Sequence, residues 1–397
     1  MRGIRQCLGV VLAIGLAAAS VSSCTTTQRG GLASARPVSA ATQRIATRGI
    51  ATRGIATTKA AWRAAIAQVR EPGYGCYHAA YPALQWHAVT CVAAPKGPAA
   101  PSRAAAAMYG APAKIDGSGY DYGAQVPGLI SRATGTFQHV SPHITEKGSL
   151  GSVKGKKIAN AFSLQLNTQF FATPLCSGSK NPASCTGWQQ FTYGYQNRAR
   201  GDIVIEYWLL NYDATCPMGW SSSVGDCYLN SPAAALPGGP LTAADLATVQ
   251  FSASATAGGQ DGVSLSVGSG QAALITARDS RLDLAAAWNT TEWGVFGVGG
   301  SVEAYFGPGT TLEAQTVLTA STPSAPVCIK GTFTGESNNL KLASTPALGR
   351  EPSPTMASRQ TNGTTGTASC AVAGSSTTST ATPISGATNG NGTAVTP

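Results

Sequence analysis

The 397-residue sequence predicts an all-β protein, an antiparallel two-sheet sandwich flanked by unstructured ends. Three observations lead there. Phe162, Leu164, Leu166, Thr168 and Phe170 alternate with Ser163, Gln165, Asn167 and Gln169, the period of two that a strand requires. Ile203 to Tyr212 is apolar on both faces and rich in β-branched and aromatic residues, which suits a central strand covered on each side. Similar short runs recur at Val263–Val267, Ala273–Ala277, Val295–Val298 and Thr311–Leu318, with Gly-Gly pairs at 238–239, 258–259 and 299–300 between strand segments. Many short strands punctuated by turn residues indicate a sandwich.

The first segment sets location. Arg2 and Arg5 precede the apolar run Leu8–Ala19, which is too short to span a hydrocarbon core of ~30 Å and reads as a signal peptide over 1–23. Val21-Ser22-Ser23-Cys24 resembles a bacterial lipobox. Cys24 is therefore expected to carry lipid and begin the mature chain, attached to the membrane through that anchor; the competing reading is an ordinary cleavage site with a chance cysteine. The protein is expected to be exported, either lipid-anchored to a bacterial cell envelope or secreted. Residues 24–72 read as a low-complexity tether in which Ile45-Ala-Thr-Arg-Gly49 recurs at 50–54, a period that matches no solenoid unit. A short helix is a candidate within it, over Ala60–Val69. A small disulfide module with an Ala/Pro-rich linker is expected over 73–114, the sandwich over 115–342, and a Ser/Thr/Gly/Pro-rich tail with little to bury over 343–397.

The net charge of +10 does not mark a nucleic-acid binder. Residues 1–73 hold ten of the 27 Lys and Arg but one of the 17 acids, so the body is nearly neutral. Basic residues in the tether would add attraction to an anionic leaflet. Eight cysteines remain once Cys7 and Cys24 are set aside. Their short spacing favours sequential disulfides, Cys76–Cys91, Cys176–Cys185 and Cys216–Cys227; Cys328–Cys370 is the remaining sequential pair, but its connectivity stays open, since eight cysteines allow 105 pairings. With no Cys-x2-Cys and four His in the chain, no metal is expected. No phosphate-cradling loop, Gly-x-Ser-x-Gly elbow or His-Glu-x-x-His occurs, and no cofactor is expected.

Several segments in order resemble the glutamic peptidases (eqolisins). They are Ala133-Thr-Gly-Thr-Phe137, Cys185 with Gly187-Trp-Gln-Gln-Phe191, Glu206-Tyr-Trp208, Asn289-Thr-Thr-Glu-Trp293 and Ala304-Tyr-Phe-Gly307. The 160–215 region is also similar to secreted bacterial proteins of unassigned activity. The peptidase resemblance implies a concanavalin A-like jelly roll. It also implies a catalytic Gln directly after the Cys and a catalytic Glu four residues before the Glu of Glu-Trp. Those positions hold Thr186 and Trp288, neither of which can activate water or polarise an oxyanion as the family's pair would. The resemblance thus implies the fold without the activity.

Two further constellations carry chemistry. Glu206 and Glu292 each lie beside a Trp, where burial would raise a carboxyl pKa and make a general acid. Gln165, Gln169 or Gln189 would be the partner amide, and the ordinary alternative is a hydrogen-bonded sandwich glutamate. Gln165, Asn167 and Gln169, with Gln190, form an amide-bearing face near Trp188, Trp208 and Tyr212. Amides beside aromatic rings suit a carbohydrate or an extended peptide, and a solvated sheet face is the alternative. The expected function is a non-catalytic binding sandwich on the envelope. A divergent glutamic-peptidase-like hydrolase is the alternative, and a protein making only envelope contacts is a third.

Overall fold

A computed structural model describes residues 58–95, 122–150, 153–330, 333–363 and 370. The signal peptide, Cys24, residues 25–57 of the tether, residues 96–121 and residues 371–397 lie outside the described residues.

Two large antiparallel sheets stack on one another. The ten-stranded sheet is centred on Ile130–Gln138, which pairs with Gln250–Ala255 on one side and Thr311–Ala320 on the other. It continues through Gln260–Ser266 and Gln271–Arg278 to Gly75–Ala80 and His87–Val89. On the opposite side it continues through Thr355–Thr361 to Lys341–Leu342, and Ala347–Gly349 also pairs with Thr355–Thr361. The nine-stranded sheet runs in the order Ser221–Ser223, Asp226–Asn230, Arg200–Leu210, Thr186–Asn197, Ser163–Thr168, Thr290–Phe296, Tyr122–Gln125 and Val327–Lys330. Ala234–Ala235 adds to Arg200–Leu210. A four-stranded sheet holds Ser337–Asn338, Glu303–Phe306, Glu146–Leu150 and Val153–Ala159.

The large sheets meet through rings. Trp293, from the nine-stranded sheet, stacks on Phe251 at 5.5 Å and lies 5.0 Å from Phe137, both in the ten-stranded sheet. Gly135 admits this ring: a Cβ there would sit 2.2 Å from Trp293 Cδ2. The Gly-Gly turns work as the sequence implies, with Gly238, Gly239, Gly258, Gly299 and Gly300 all at positive φ.

Two boundaries differ from expectation. The Cys76–Cys91 segment is not a separate module. Gly75–Ala80 pairs with Gln271–Arg278 along six residues, because an unpaired sheet edge leaves backbone donors and acceptors unsatisfied. Its alternation explains the fit: Cys76 joins the main core, whereas Tyr77 and Ala79 face the helix Lys59–Ile66. That helix starts where Thr58 Oγ1 accepts the Ala61 N–H at 3.1 Å, and its i, i+4 pair Trp62 and Ile66 is buried against Ala272 and Leu274. The tail does not begin at 343. Thr355–Thr361 alternates, burying Met356, Ser358 and Gln360, and pairs with Thr311–Ala320 despite its polar composition.

The four disulfides are Cys76–Cys91, Cys176–Cys185, Cys216–Cys227 and Cys328–Cys370, the sequential pairs. They are compatible with an extracellular protein.

Candidate functional site

Strands send alternate side chains to opposite faces. In the nine-stranded sheet Trp293, Leu166, Phe191 and Ile205 are successive cross-strand partners, and this row faces the other large sheet. One residue along, Glu292, Asn167, Gln190, Glu206 and Asn230 are likewise successive partners, so a polar row crosses five strands on the outer face. At ~4.8 Å per strand it extends about 19 Å.

The row is hydrogen-bonded through Asn167. Its Nδ2 donates to Glu292 Oε2 at 2.9 Å and to Gln165 Oε1 at 3.1 Å, while its Oδ1 accepts from Gln190 Nε2 at 2.9 Å. Gln190 Nε2 also reaches Gln165 Oε1 at 3.3 Å, and Gln165 Nε2 donates to Ser163 Oγ at 2.9 Å. Gln165, Asn167, Gln190 and Glu292 are each 0 % exposed and Glu206 is 3 % exposed. Two residues along from Gln190 and Glu206, an aromatic row runs parallel. Trp208 lies between Trp188 at 6.4 Å and Tyr228 at 5.3 Å, and Phe170 meets Trp188 edge-on at 5.7 Å. Gln190 Oε1 and Trp208 Nε1 are buried without a hydrogen-bond partner among the described residues.

A later stretch of the chain already engages this face. The backbone N–H of Phe333 donates to Glu292 Oε2 at 3.2 Å, and its ring meets Phe170 edge-on at 5.7 Å. Gly123, opposite Glu292 in the next strand, lies beside it: a Cβ there would be in van der Waals contact with the ring, 3.7 Å from Phe333 Cε2.

Gln165, Asn167, Glu206 and Trp208 therefore share one face, and Glu292 joins them from a strand 125 residues downstream of Asn167. Three candidates do not. Gln189 has the parity of Phe191 and points into the sandwich, where its Nε2 donates to Asp261 Oδ2 at 2.7 Å. Desolvation there raises the Asp261 pKa well above the usual carboxylate value, although the Gln189 hydrogen bond opposes it. Gln169 lies beyond the strand end at Thr168. It donates to the Ala287 carbonyl at 2.6 Å and accepts from the Thr290 N–H at 3.0 Å, so its amide is used in holding a loop. Tyr212 follows Asn211, whose φ of 53° breaks the alternation, and it packs in the main core rather than beside Trp208.

The positions implied by the family resemblance do not meet either. Trp288 is fully buried, 5.8 Å from the core-facing Phe191, while Thr186 begins its strand opposite Leu210. The residues that sequence reasoning underweighted are Gln190, Asn230 and Phe333. For Gln190 the signal was present: it shares its parity with Trp188, whereas Gln189 shares its parity with Phe191.

A cleft of about 920 Å³ lies elsewhere, on the outer face of the ten-stranded sheet near the helix. Two of its charged groups, Arg132 and Glu71, are already engaged. Arg132 donates to the Ala67 carbonyl at 2.7 Å and pairs with Glu71 at 3.5 Å, and Ser254 hydrogen-bonds the Glu71 carboxylate. Among the described residues no group of three or more His, Cys, Asp or Glu comes together as a metal site would require.

No family model matches the chain and no curated protein matches it. Solved structures do match, remotely. Two are scytalidoglutamic peptidase, one with a peptide-based transition-state analogue and one with a transition-state analogue inhibitor, at TM-scores of 0.29 and 0.30. A third is SCP-B, a member of the eqolisin family of peptidases, in complex with the tripeptide Ala-Ile-His, at a TM-score of 0.27. In each case the identity is 12 %, and the match covers 60 % of this chain and 97 % of the other.

Proposed function

We propose that the protein is an exported, envelope-anchored β-sandwich that binds an extended peptide on the outer face of its nine-stranded sheet without hydrolysing it. The carrying observation is that this face already holds a peptide group: the Phe333 N–H lies on Glu292 and the Phe333 ring lies on the aromatic cluster. That favours peptide over carbohydrate. A buried carboxylate that accepts a backbone N–H, with an aromatic row for the side chain, offers an extended chain both a main-chain and a side-chain contact. The test is a peptide and glycan array probed with the wild type and Trp208→Ala. Aromatic-containing peptides are expected to be retained weakly by the wild type and about tenfold less by the variant, since truncating a buried aromatic anchor commonly costs over 1 kcal/mol. Retention of glycans alone would overturn the reading.

Hydrolysis is a second reading with one observation in its favour: Glu292 and Gln190 share a row, bridged by Asn167, so a carboxylate and an amide lie on one face. Against it, both are fully buried, and general-base catalysis needs a water within reach of the carboxylate. Denatured protein incubated with the full chain between about pH 2 and pH 7 is expected to remain uncleaved. Cleavage that disappears in Glu292→Gln would promote the hydrolase.

Export and anchoring rest on the lipobox-like Val21–Cys24 after the apolar run, together with four disulfides. Intact-mass measurement of the native protein is expected to show a chain beginning at Cys24 and carrying lipid. A soluble chain starting elsewhere would end that part of the proposal.

A further inference from the structure

We infer that the segment Phe333–Asn339 is an intramolecular ligand that keeps the outer face closed, so that the intact chain is autoinhibited. This rests on the peptide-binding reading above.

The segment has two parts. Phe333 is the occupying part, with its N–H on Glu292, its ring on Phe170 and its ring edge beside Gly123. Residues 336–339 are the anchoring part. Ser337–Asn338 pairs in parallel with Glu303 and Ala304, and the Ser337 carbonyl accepts the Gly297 N–H at 3.1 Å. Asn338 Nδ2 donates to the Val295 carbonyl at 2.9 Å, on the strand that carries Glu292, and Glu336 accepts the Ser301 N–H at 3.3 Å. Upstream, Val327–Lys330 is fixed to Tyr122–Gln125, and Cys328 is bonded to Cys370, so both ends of the stretch are held. An occupant tethered this closely competes at an effective concentration on the order of millimolar, and an external peptide binds only as the tether lets go.

The anchoring hydrogen bonds run to backbone outside the polar row, so they do not depend on Phe333. Removing the Phe333 ring is therefore expected to uncover the aromatic cluster while residues 336–339 stay in place.

The probe is a fluorescein-labelled peptide of residues 333–340, Phe-Thr-Gly-Glu-Ser-Asn-Asn-Leu, titrated by anisotropy against the full chain. The variants are Phe333→Ala, Phe333→Ala with Glu292→Gln, and Gly123→Leu, which fills the ring's seat from the sheet side. Hydrogen exchange of the 333–340 segment is read in parallel. Phe333→Ala is expected to bind the peptide at least tenfold more tightly than the wild type, and Glu292→Gln is expected to remove that gain. Gly123→Leu is expected to raise exchange at Phe333. Equal binding by wild type and Phe333→Ala would overturn the autoinhibition and leave the peptide reading standing. Absent binding with raised exchange in Phe333→Ala would overturn the peptide reading itself. Absent binding with unchanged exchange would show that Phe333 does not hold the face closed, which also overturns the inference.

Discussion

Asn167→Asp is expected to destabilise the folded protein by about 3 kcal/mol or more near neutral pH, from a change that adds no volume. The amide nitrogen of Asn167 donates to both Glu292 and Gln165, and its oxygen accepts from Gln190. An aspartate keeps the acceptor but replaces the one donor nitrogen with an oxygen that repels both Glu292 Oε2 and Gln165 Oε1. It also sets a second carboxyl group against that of Glu292, at a point from which water is excluded. Two carboxyls at such a distance cannot both ionise cheaply, so one is forced to keep its proton. The cost should shrink towards about pH 4, where the unfolded chain also keeps that proton and none has to be taken up on folding. Denaturant unfolding at neutral and acid pH measures this. A variant within about 0.5 kcal/mol of the wild type at neutral pH would mean that the row is not bonded through Asn167.

That hub was half legible in the sequence. Alternation along Ser163–Thr168 puts Gln165 and Asn167 on one face, and alternation along Arg200–Leu210 puts Glu206 and Trp208 on one face. Strand periodicity, however, says nothing about which strands are neighbours. That Glu292 arrives beside Asn167 is a long-range pairing, decided by how two sheets close around Trp293. The misplaced candidates fail for local reasons. Tyr212 is turned into the core because Asn211 adopts a left-handed backbone, and an Asn-Tyr dipeptide at the end of an apolar run does not announce that. Gln169 is one residue past a strand end, where loop carbonyls and amides claim its side chain. Gln189 could have been placed correctly from parity alone, since it alternates in phase with Phe191 and Tyr193, which are both buried in the core.

The segments misread as module and tail share another cause. Gly75–Ala80 is too short and small-residued, and Thr355–Thr361 too polar, to suggest strands of a large sheet, and they become strands by pairing with strands that would otherwise be left open. Phe333 is hidden in the same way. It stands alone in a Thr/Gly/Ser/Asn stretch that reads as a loop, and only the sheet it lands on shows what its ring is for.

Glu146→Gln is expected to flatten the pH dependence of stability and to make the protein more stable than the wild type at about pH 8 and above. Glu146 is 2 % exposed in the four-stranded sheet, and burial pushes its pKa up to about 8, well above the ordinary glutamate range. The amides near Ala161 and Tyr305 and the charge of Lys157 pull it back only in part, and neither carboxylate oxygen meets hydrogen-bond geometry. A carboxyl with a raised folded pKa holds a proton that the unfolded chain releases. Its contribution is therefore complete below about pH 4.5 and falls by about 1.4 kcal/mol per unit as pH rises, levelling off above about pH 8. Buried Asp202, raised to about 6 by desolvation that outweighs its Arg200 partner, and Asp261 act in the same direction. The wild type is accordingly expected to melt at its highest temperature in mild acid. Thermal melts from about pH 5 to pH 9 on wild type and Glu146→Gln compare the slopes. Parallel slopes would mean that Glu146 is ionised in the folded protein, and that the small sheet beside Ser337–Asn338 carries a buried charge rather than a neutral acid.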